Sequence, residues 1–211
     1  MRIGRRAFSI GALAFGVASA TKTLAYETCG PQACEAGIDI RHISANYDSQ
    51  YQSQWCWAAS ISMVFRHYGY RVSQERIVRE TYGVVGNIPA VTGLAISKNL
   101  DREWQDDEGQ NFGVEIEGLY DADAGIMSLT NGDIVDALRD ERPLIIGNRS
   151  HAMVMTAVAY VPYPGNPQIF NFGVADPFPG AGLHGAQPRE LYPMHMGGDL
   201  RYLCLPRIQE S

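Results

Sequence analysis

The sequence predicts an α+β fold, because helical and strand patterns occupy different parts of the chain. Between Trp57 and Tyr68, apolar residues recur at spacings of three or four, the period of a helix packed on one face. Beyond Pro143, short apolar and β-branched runs alternate with turn residues, as they do in strands. Segregated helices and strands favour α+β over alternating α/β units. We therefore expect a helical N-terminal lobe, an antiparallel β C-terminal lobe and a cleft between them.

The helix that begins near Cys56 has a clear end. Gly69 follows its last periodic residue, as a left-handed C-terminal glycine does. Two more helices are predicted over 71–82 and 90–100, and Thr130 with Asp133 forms a capping-box pattern that opens another.

Strands are predicted over 143–147, in the run after His151, over 169–176 and over 199–206. The acidic stretch 101–111 predicts an exposed loop.

Residues 1–25 have the composition of a targeting segment. Arg5 and Arg6 precede an apolar stretch from Ala7 to Ala20, which resembles a twin-arginine export signal. That stretch is too short for an ordinary membrane-spanning helix. We expect cleavage after Ala20 or Ala25 and a periplasmic or secreted protein, with no membrane attachment after cleavage.

Charge and length exclude some functions. Residues 1–25 contain four basic residues and no acid, so 17 basic residues become 13 against 23 acidic ones after cleavage. An acidic chain without a basic stripe is a poor binder of nucleic acid. By length, the remainder is divided into a leader, 26–47, and one domain, 48–211.

Four cysteines constrain the redox chemistry. Cys29 and Cys34 can close a small disulfide loop, which export permits. Cys204 is either free or pairs with one of them, and the spacing alone leaves that choice open. The pattern does not match a zinc pair, so no metal and no cofactor are predicted. The run Met194–Met196, with His195 between the methionines, offers only a weak alternative as a copper(I) site.

One set of four polar residues has the composition of a catalytic site. Cys56 lies in the first helical turn, where the macrodipole favours a thiolate, although a lone cysteine is more often a small buried residue. His151 stands before a strand and Asp176 ends another, so adjacent antiparallel strands can bring them together. The side-chain amide of Gln50 can aim an N–H at an oxyanion.

The order Gln50, Cys56 with Trp57 after it, His151 and Asp176 resembles the papain-like cysteine proteases, in particular compact bacterial members. These include effector proteases of plant pathogens and bacteriocin-processing peptidase domains. The resemblance implies a papain-like two-lobe fold and a protein or peptide substrate. It also implies Cys56 as nucleophile, His151 as general base and acid, Asp176 as the group that orients it, and Gln50 as oxyanion donor.

Alternatives remain open for two of these roles. Asn166 and Asn171 are nearer to His151 in the chain than Asp176, but the first lies in a turn and the second inside a strand. Gln52 and Gln54 compete with Gln50, which only its spacing from Cys56 favours.

The leading hypothesis is an exported thiol peptidase that works through an acyl-enzyme. An acyl or peptidyl transferase would use the same groups with an amine or thiol acceptor. A non-catalytic peptide-binding module would keep its function after Cys56→Ala.

Overall fold

The computed structural model describes residues 24–90 and 92–210. Predictions about the export signal fall on residues 1–25, nearly all of them outside these ranges. The described chain forms five helices and ten strands. The helices are α1 (Ile40–Asn46), α2 (Cys56–His67), α3 (Gln74–Tyr82), α4 (Gly93–Leu100) and α5 (Asn131–Arg139). The strands are β1 (Ala25–Cys29), β2 (Cys34–Ile38), β3 (Arg102–Gln105), β4 (Asn111–Asp121), β5 (Ile126–Met127), β6 (Leu144–Gly147), β7 (Ala152–Val161), β8 (Gln168–Asp176), β9 (Gly182–Gly185) and β10 (Tyr202–Glu210).

The ten strands form one antiparallel sheet. Its main order is β1-β2-β7-β6-β10-β4-β3, with β5 beside β4 and with β8 and β9 continuing from β7. The α+β class is therefore confirmed. Helix α2 packs against β6 and β7 and against α1 and α3, so it lies in the middle of the molecule.

Helix α2 has the predicted boundaries. Cys56 is its first residue, and Gly69, just beyond its end, has φ = +91°. Ile61, Val64 and Phe65 are fully buried, which is the apolar face that the periodicity predicted. The N-terminal position of Cys56 is thus confirmed.

The other predicted helices are present, with shifted starts. The two helices predicted over 71–82 and 90–100 are α3 and α4, each beginning three residues later. The capping box of α5 is confirmed: Asp133 N–H donates to Thr130 Oγ1 at 3.2 Å, and Thr130 N–H donates to Asp133 Oδ2 at 2.8 Å.

The prediction of an exposed loop over 101–111 is wrong for Arg102–Gln105, whereas residues 106–110 form a turn that is mostly exposed. Residues Arg102–Gln105 form β3 and pair with the start of β4. Trp104 is only 3% exposed and packs on Phe65, so a single aromatic anchors the segment in the core. Glu103 is exposed, as an edge strand allows, and the acids in and around the strand made its composition resemble that of a loop.

The predicted leader, residues 26–47, contributes structure to the sheet. Strands β1 and β2 form a hairpin, β2 pairs with β7, and α1 follows. A disulfide joins Cys29 to Cys34 across the hairpin end, while Cys204 is free and buried. The division into a leader and a peptidase domain stays a prediction.

Candidate active site

Cys56 is half-buried at the N-terminus of α2. The two tryptophans beside it hold the neighbouring loop. Trp55 Nε1 donates to Gly86 O at 2.8 Å, and Trp57 Nε1 donates to Ile88 O at 3.1 Å. Both rings are almost fully buried. Core packing and polar tethering therefore fix the position of the cysteine, and the partial positive charge of the helix end acts on its sulfur.

His151 lies immediately before β7, in a turn shaped by Asn148. The Asn148 side chain accepts hydrogen bonds from the N–H groups of Ser150 (3.2 Å) and His151 (3.0 Å). Asn148 N–H donates to His151 O at 2.9 Å. Asn148 was not identified from the sequence. The available signal was an asparagine three residues before the candidate histidine, because asparagine side chains often accept hydrogen bonds from N–H groups two or three residues further on in turns.

Strands β7 and β8 bring His151 and Asp176 together, as the sequence predicted for adjacent antiparallel strands. Val154 pairs with Ala175, so the start of β7 and the end of β8 lie at the same edge. His151 Nε2 and Asp176 Oδ1 are 2.5 Å apart. Asp176 occupies Nε2 and leaves Nδ1 as the second ring nitrogen, and Cys56 is close enough to His151 to interact with it electrostatically.

Asp176 is only 8% exposed and accepts several further hydrogen bonds. Phe178 N–H donates to Oδ1 at 2.8 Å, and His184 Nε2 approaches Oδ2 at 3.3 Å. Tyr47 Oη donates to the Asp176 carbonyl at 2.9 Å. No sequence pattern pointed to a role for His184. This histidine reaches the carboxylate of Asp176 because β9 pairs with β8, and a local motif does not record that pairing.

These contacts shift the protonation of the cluster. Burial opposes protonation of His151, but its hydrogen bonds to Asp176 and Cys56 outweigh burial and raise its pKa from 6.5 to about 9. Burial opposes ionisation of Asp176, yet its hydrogen bonds, first among them that to His151, lower its pKa. The arrangement therefore favours an imidazolium held between a carboxylate and a sulfur.

Gln50 and Gln54 occupy different environments. Gln50 is 7% exposed, and its backbone N–H donates to Pro177 O at 2.8 Å, next to Asp176. Its Nε2 donates to Gln52 O at 2.9 Å, which leaves the second N–H of that amide for another acceptor. Gln54 is exposed and lines the cavity beside Cys56. Gln52 is exposed and supplies its carbonyl to Gln50.

The two asparagines considered as alternatives to Asp176 do not lie near His151. Asn171 is exposed in the middle of β8 opposite Ala159, far along β7 from the histidine. Asn166 lies in the turn between β7 and β8, at the opposite end of the hairpin. Of the three, only Asp176 contacts the imidazole.

A cavity of about 300 Å³ opens beside Cys56 and His151. Its walls come from the start of α2, the start of α4, the end of β4 and the turn before β7. A cleft between helices and sheet is where an extended chain can bind.

The described residues offer little to a metal ion. Glu27, Cys29 and Cys34 have ligand atoms within 4.8 Å of one another, but both sulfurs are in the disulfide. His195 is exposed, and Met194 Sδ accepts a hydrogen bond from Arg201 Nε at 2.6 Å. None of the helices in the described ranges has the length and apolarity to cross a bilayer.

Comparison with known proteins identifies the family. The model of the family described as "Papain-like cysteine protease AvrRpt2" matches residues 39–180. No curated protein matches significantly. Fifteen chains of solved structures do. One is the peptidase domain of Streptococcus ComA, described as a bi-functional ABC transporter involved in a quorum sensing pathway. It is 16% identical with a TM-score of 0.42, over 78% of this chain and 97% of that one. Since the family match covers well over half of the sequence, this chain belongs to the papain-like cysteine proteases of the AvrRpt2 family and is a hydrolase.

Proposed function

We propose that the protein is an exported thiol peptidase that cleaves peptide bonds with Cys56, His151 and Asp176. The observation that carries this proposal is the contact chain from Asp176 through His151 to Cys56 at the mouth of the cavity. In a structural role, a half-buried cysteine would need neither a paired imidazole nor a cleft.

In the proposed reaction, Cys56 has already given its proton to His151, and the resulting thiolate attacks the peptide carbonyl carbon. The C=O electron pair moves to the oxygen, and the Cys56 N–H and one side-chain amide stabilise that oxyanion. His151 then donates its proton to the leaving amine as the C–N bond breaks, which gives an acyl-enzyme thioester. Water, deprotonated by His151, attacks the thioester and releases a carboxylic acid and Cys56.

Gln50 is the amide that we propose for the oxyanion. It is buried and tied to the turn after Asp176, so its orientation is fixed before substrate binds. An exposed Gln54 would have to lose side-chain freedom during each reaction. Asp176, which orients His151, does not need to change its protonation.

A two-lobe cleft follows from the same proposal. Helices α2 and α4 supply one wall, and the ends of β4 and β7 supply the other. A peptide lying between them would meet Cys56 from the first wall and His151 from the second.

The experiment is the rate of Cys56 alkylation by iodoacetamide as a function of pH, because it requires no known substrate. We expect fast alkylation that persists at about pH 5 to 6, since the imidazolium stabilises the thiolate there. His151→Ala removes that stabilisation, so its alkylation should rise only towards the ordinary thiol pKa of about 8.5.

The matched control is His195→Ala, which removes an exposed histidine outside the cluster. Its alkylation profile should follow the unmodified protein. If the unmodified protein and His151→Ala both react only as an ordinary thiol does, Cys56 is structural and the proposal fails.

Export rests on the composition of residues 1–25, and the Cys29–Cys34 disulfide is the bond that an oxidising compartment permits. We expect mature protein recovered outside the cytoplasm to begin at Thr21 or Tyr26. Mass spectrometry of its N-terminus decides this, and an N-terminus at Met1 in that fraction contradicts cleavage.

A further inference from the structure

One residue in the wall of the cavity beside Cys56 has a carboxylate oxygen without a hydrogen-bond partner among the described residues. Asp121, the last residue of β4, lines this cavity and is only 2% exposed. Its Oδ1 accepts the N–H groups of Asp123 and Ala124, both at 2.9 Å. Its Oδ2 is buried and accepts no hydrogen bond from any residue of the described ranges. One face of the carboxylate is therefore used by the fold and the other is not.

Such an oxygen is costly to the folded protein. Burying a polar atom without a hydrogen bond forfeits its hydration, and the large majority of buried polar atoms have partners. The turn after β4 needs only Oδ1, which an asparagine would supply equally well. The negative charge and the second oxygen therefore have no structural task in this turn.

The other charges on the cavity wall are already paired. Arg201 lies 3.7 Å from Asp123, and Arg149 lies 3.8 Å from Asp199. No cation of the described chain hydrogen-bonds to Asp121 Oδ2. The carboxylate thus keeps an unneutralised acceptor oxygen in the wall of a substrate-sized space.

Part of the wall is apolar and suits a long aliphatic side chain. Trp57, Ile96 and Tyr202 line the same cavity and are mostly buried. Basic side chains bury their methylene groups along apolar surfaces and place the charged head on a polar partner. Apolar side chains and a carboxylate in the wall of one cavity are complementary to such a side chain.

We infer that Asp121 forms the end of a subsite for a basic side chain of the peptide, close to the bond that Cys56 attacks. This inference rests on the proposed peptidase function. Only one oxygen of Asp121 is free, and a single acceptor matches the point charge of a lysine ammonium better than the two-pronged arginine guanidinium. Lysine is therefore the expected residue.

The test uses pairs of tripeptidyl chloromethyl ketones that carry lysine or norleucine at one of the three positions. Norleucine keeps the aliphatic chain and lacks the ammonium. The measured quantity is the ratio of the two rates at which the reagents inactivate Cys56, so a change in thiol reactivity cancels. At one position we expect lysine to react at least about tenfold faster than norleucine, as loss of a charged hydrogen bond implies.

The variant Asp121→Asn keeps the Oδ1 acceptor and removes the charge, so its lysine-to-norleucine ratio should fall to about one or below. Asp140→Asn removes an exposed carboxylate outside the cavity and should keep the ratio of the unmodified protein. A ratio of one or below at all three positions in the unmodified protein overturns the inference, as does an unchanged ratio in Asp121→Asn.

Failure of the proposed peptidase would be separable from failure of the subsite. If Cys56 has no reactive thiolate towards iodoacetamide, binding is measured instead of inactivation. The lysine and norleucine tripeptides are then prepared as amides and titrated into Cys56→Ala, and NMR shifts give the affinity of each. A lysine preference that Asp121→Asn abolishes would retain a subsite in a protein without the proposed chemistry. Equal binding of the two peptides overturns the subsite itself.

Discussion

Asp176 holds two imidazoles with one carboxylate. His151 uses Oδ1 and His184 approaches Oδ2. His184 Nδ1 also lies 2.8 Å from Gly185 O, and a carbonyl only accepts, so both ring nitrogens of His184 face acceptors. The Gly185 hydrogen bond, followed by Asp176, raises the pKa of His184 despite partial burial. Two cationic imidazoles around Asp176 keep the carboxylate ionised in acid, which sustains its hold on His151.

The loop before α2 connects Gln50, the proposed oxyanion donor, to the turn that follows Asp176. Gln50 N–H reaches Pro177 O, one residue beyond Asp176. A displacement of the Asp176 turn would therefore move Gln50 as well. This coupling explains why Gln50 can be buried in a loop: its backbone is held by the β8 turn, which itself is held by Tyr47.

The residues whose role depends on local pattern could be predicted from the sequence, and those that depend on long-range pairing could not. The N-terminal position of Cys56 follows from helical periodicity, and Asp176 follows from its place at a strand end. His184 reaches Asp176 only because β9 pairs with β8, and Asp121 becomes a cavity residue only because β4 ends at the cleft. Pairing partners are not written in the local composition of a strand.

The same limit applies to the strands. Helices α2 and α3 are followed by glycines with positive φ, and α5 begins with a capping box, so local sequence records these helices. Strand β1 is an edge strand with four of five residues exposed, so it lacks an apolar alternation. Strand β3 is a four-residue edge strand with Trp104 as its one buried residue, so it too lacks an apolar alternation. Strands β1 and β3 belong to the sheet because they pair with β2 and β4, which are partly buried.

The β1–β2 hairpin yields a prediction about packing. Gly37 in β2 lies so close to β7 that an added Cβ would be 2.7 Å from Ala157 Cβ and 2.9 Å from Thr156 O. Because a strand backbone cannot retreat without breaking its ladder, Gly37→Ala should reduce the free energy of unfolding by about 1 to 3 kcal/mol. Urea unfolding measures this change.

Gly30→Ala is the matched control in the turn of the same hairpin. Its added Cβ would meet only Ala33 O at 3.7 Å, an ordinary contact. We expect a change within about 0.5 kcal/mol. If Gly37→Ala were equally neutral, β2 would not be packed on β7, and residues 26–47 would be a leader that the peptidase fold does not use.

At the scale of the whole molecule, α2 joins the candidate site to the opposite side of the core. Cys56 begins the helix and His67 ends it. His67 Nε2 donates to Glu141 O at 2.6 Å, in the segment between α5 and β6, and its ring packs edge-on against His42 of α1. A single buried imidazole thus ties α2 to both the helical layer and the sheet.

That imidazole should make the fold sensitive to acid. Burial lowers the pKa of His67 from 6.5 to about 4, and Nδ1 has no hydrogen-bond partner among the described residues. Between these two values the unfolded chain binds a proton at His67 and the folded chain does not. The stability that neutral His67 contributes is therefore complete above about pH 6.5 and is lost as the pH falls towards 4.

We expect His67→Gln, whose amide N–H can still donate to Glu141 O, to lose less stability than the unmodified protein on acidification. Between about pH 7 and pH 5, the unfolding free energy of the unmodified protein should fall by about 1 to 2 kcal/mol more than that of His67→Gln. Urea unfolding at the two pH values gives this difference, and His195→Gln, at an exposed position, should match the unmodified protein. Equal acid sensitivity in His67→Gln and the unmodified protein would mean that His67 is protonated within the fold. The end of α2 would then be open to water, and the close packing of this helix between α1 and the sheet would be wrong.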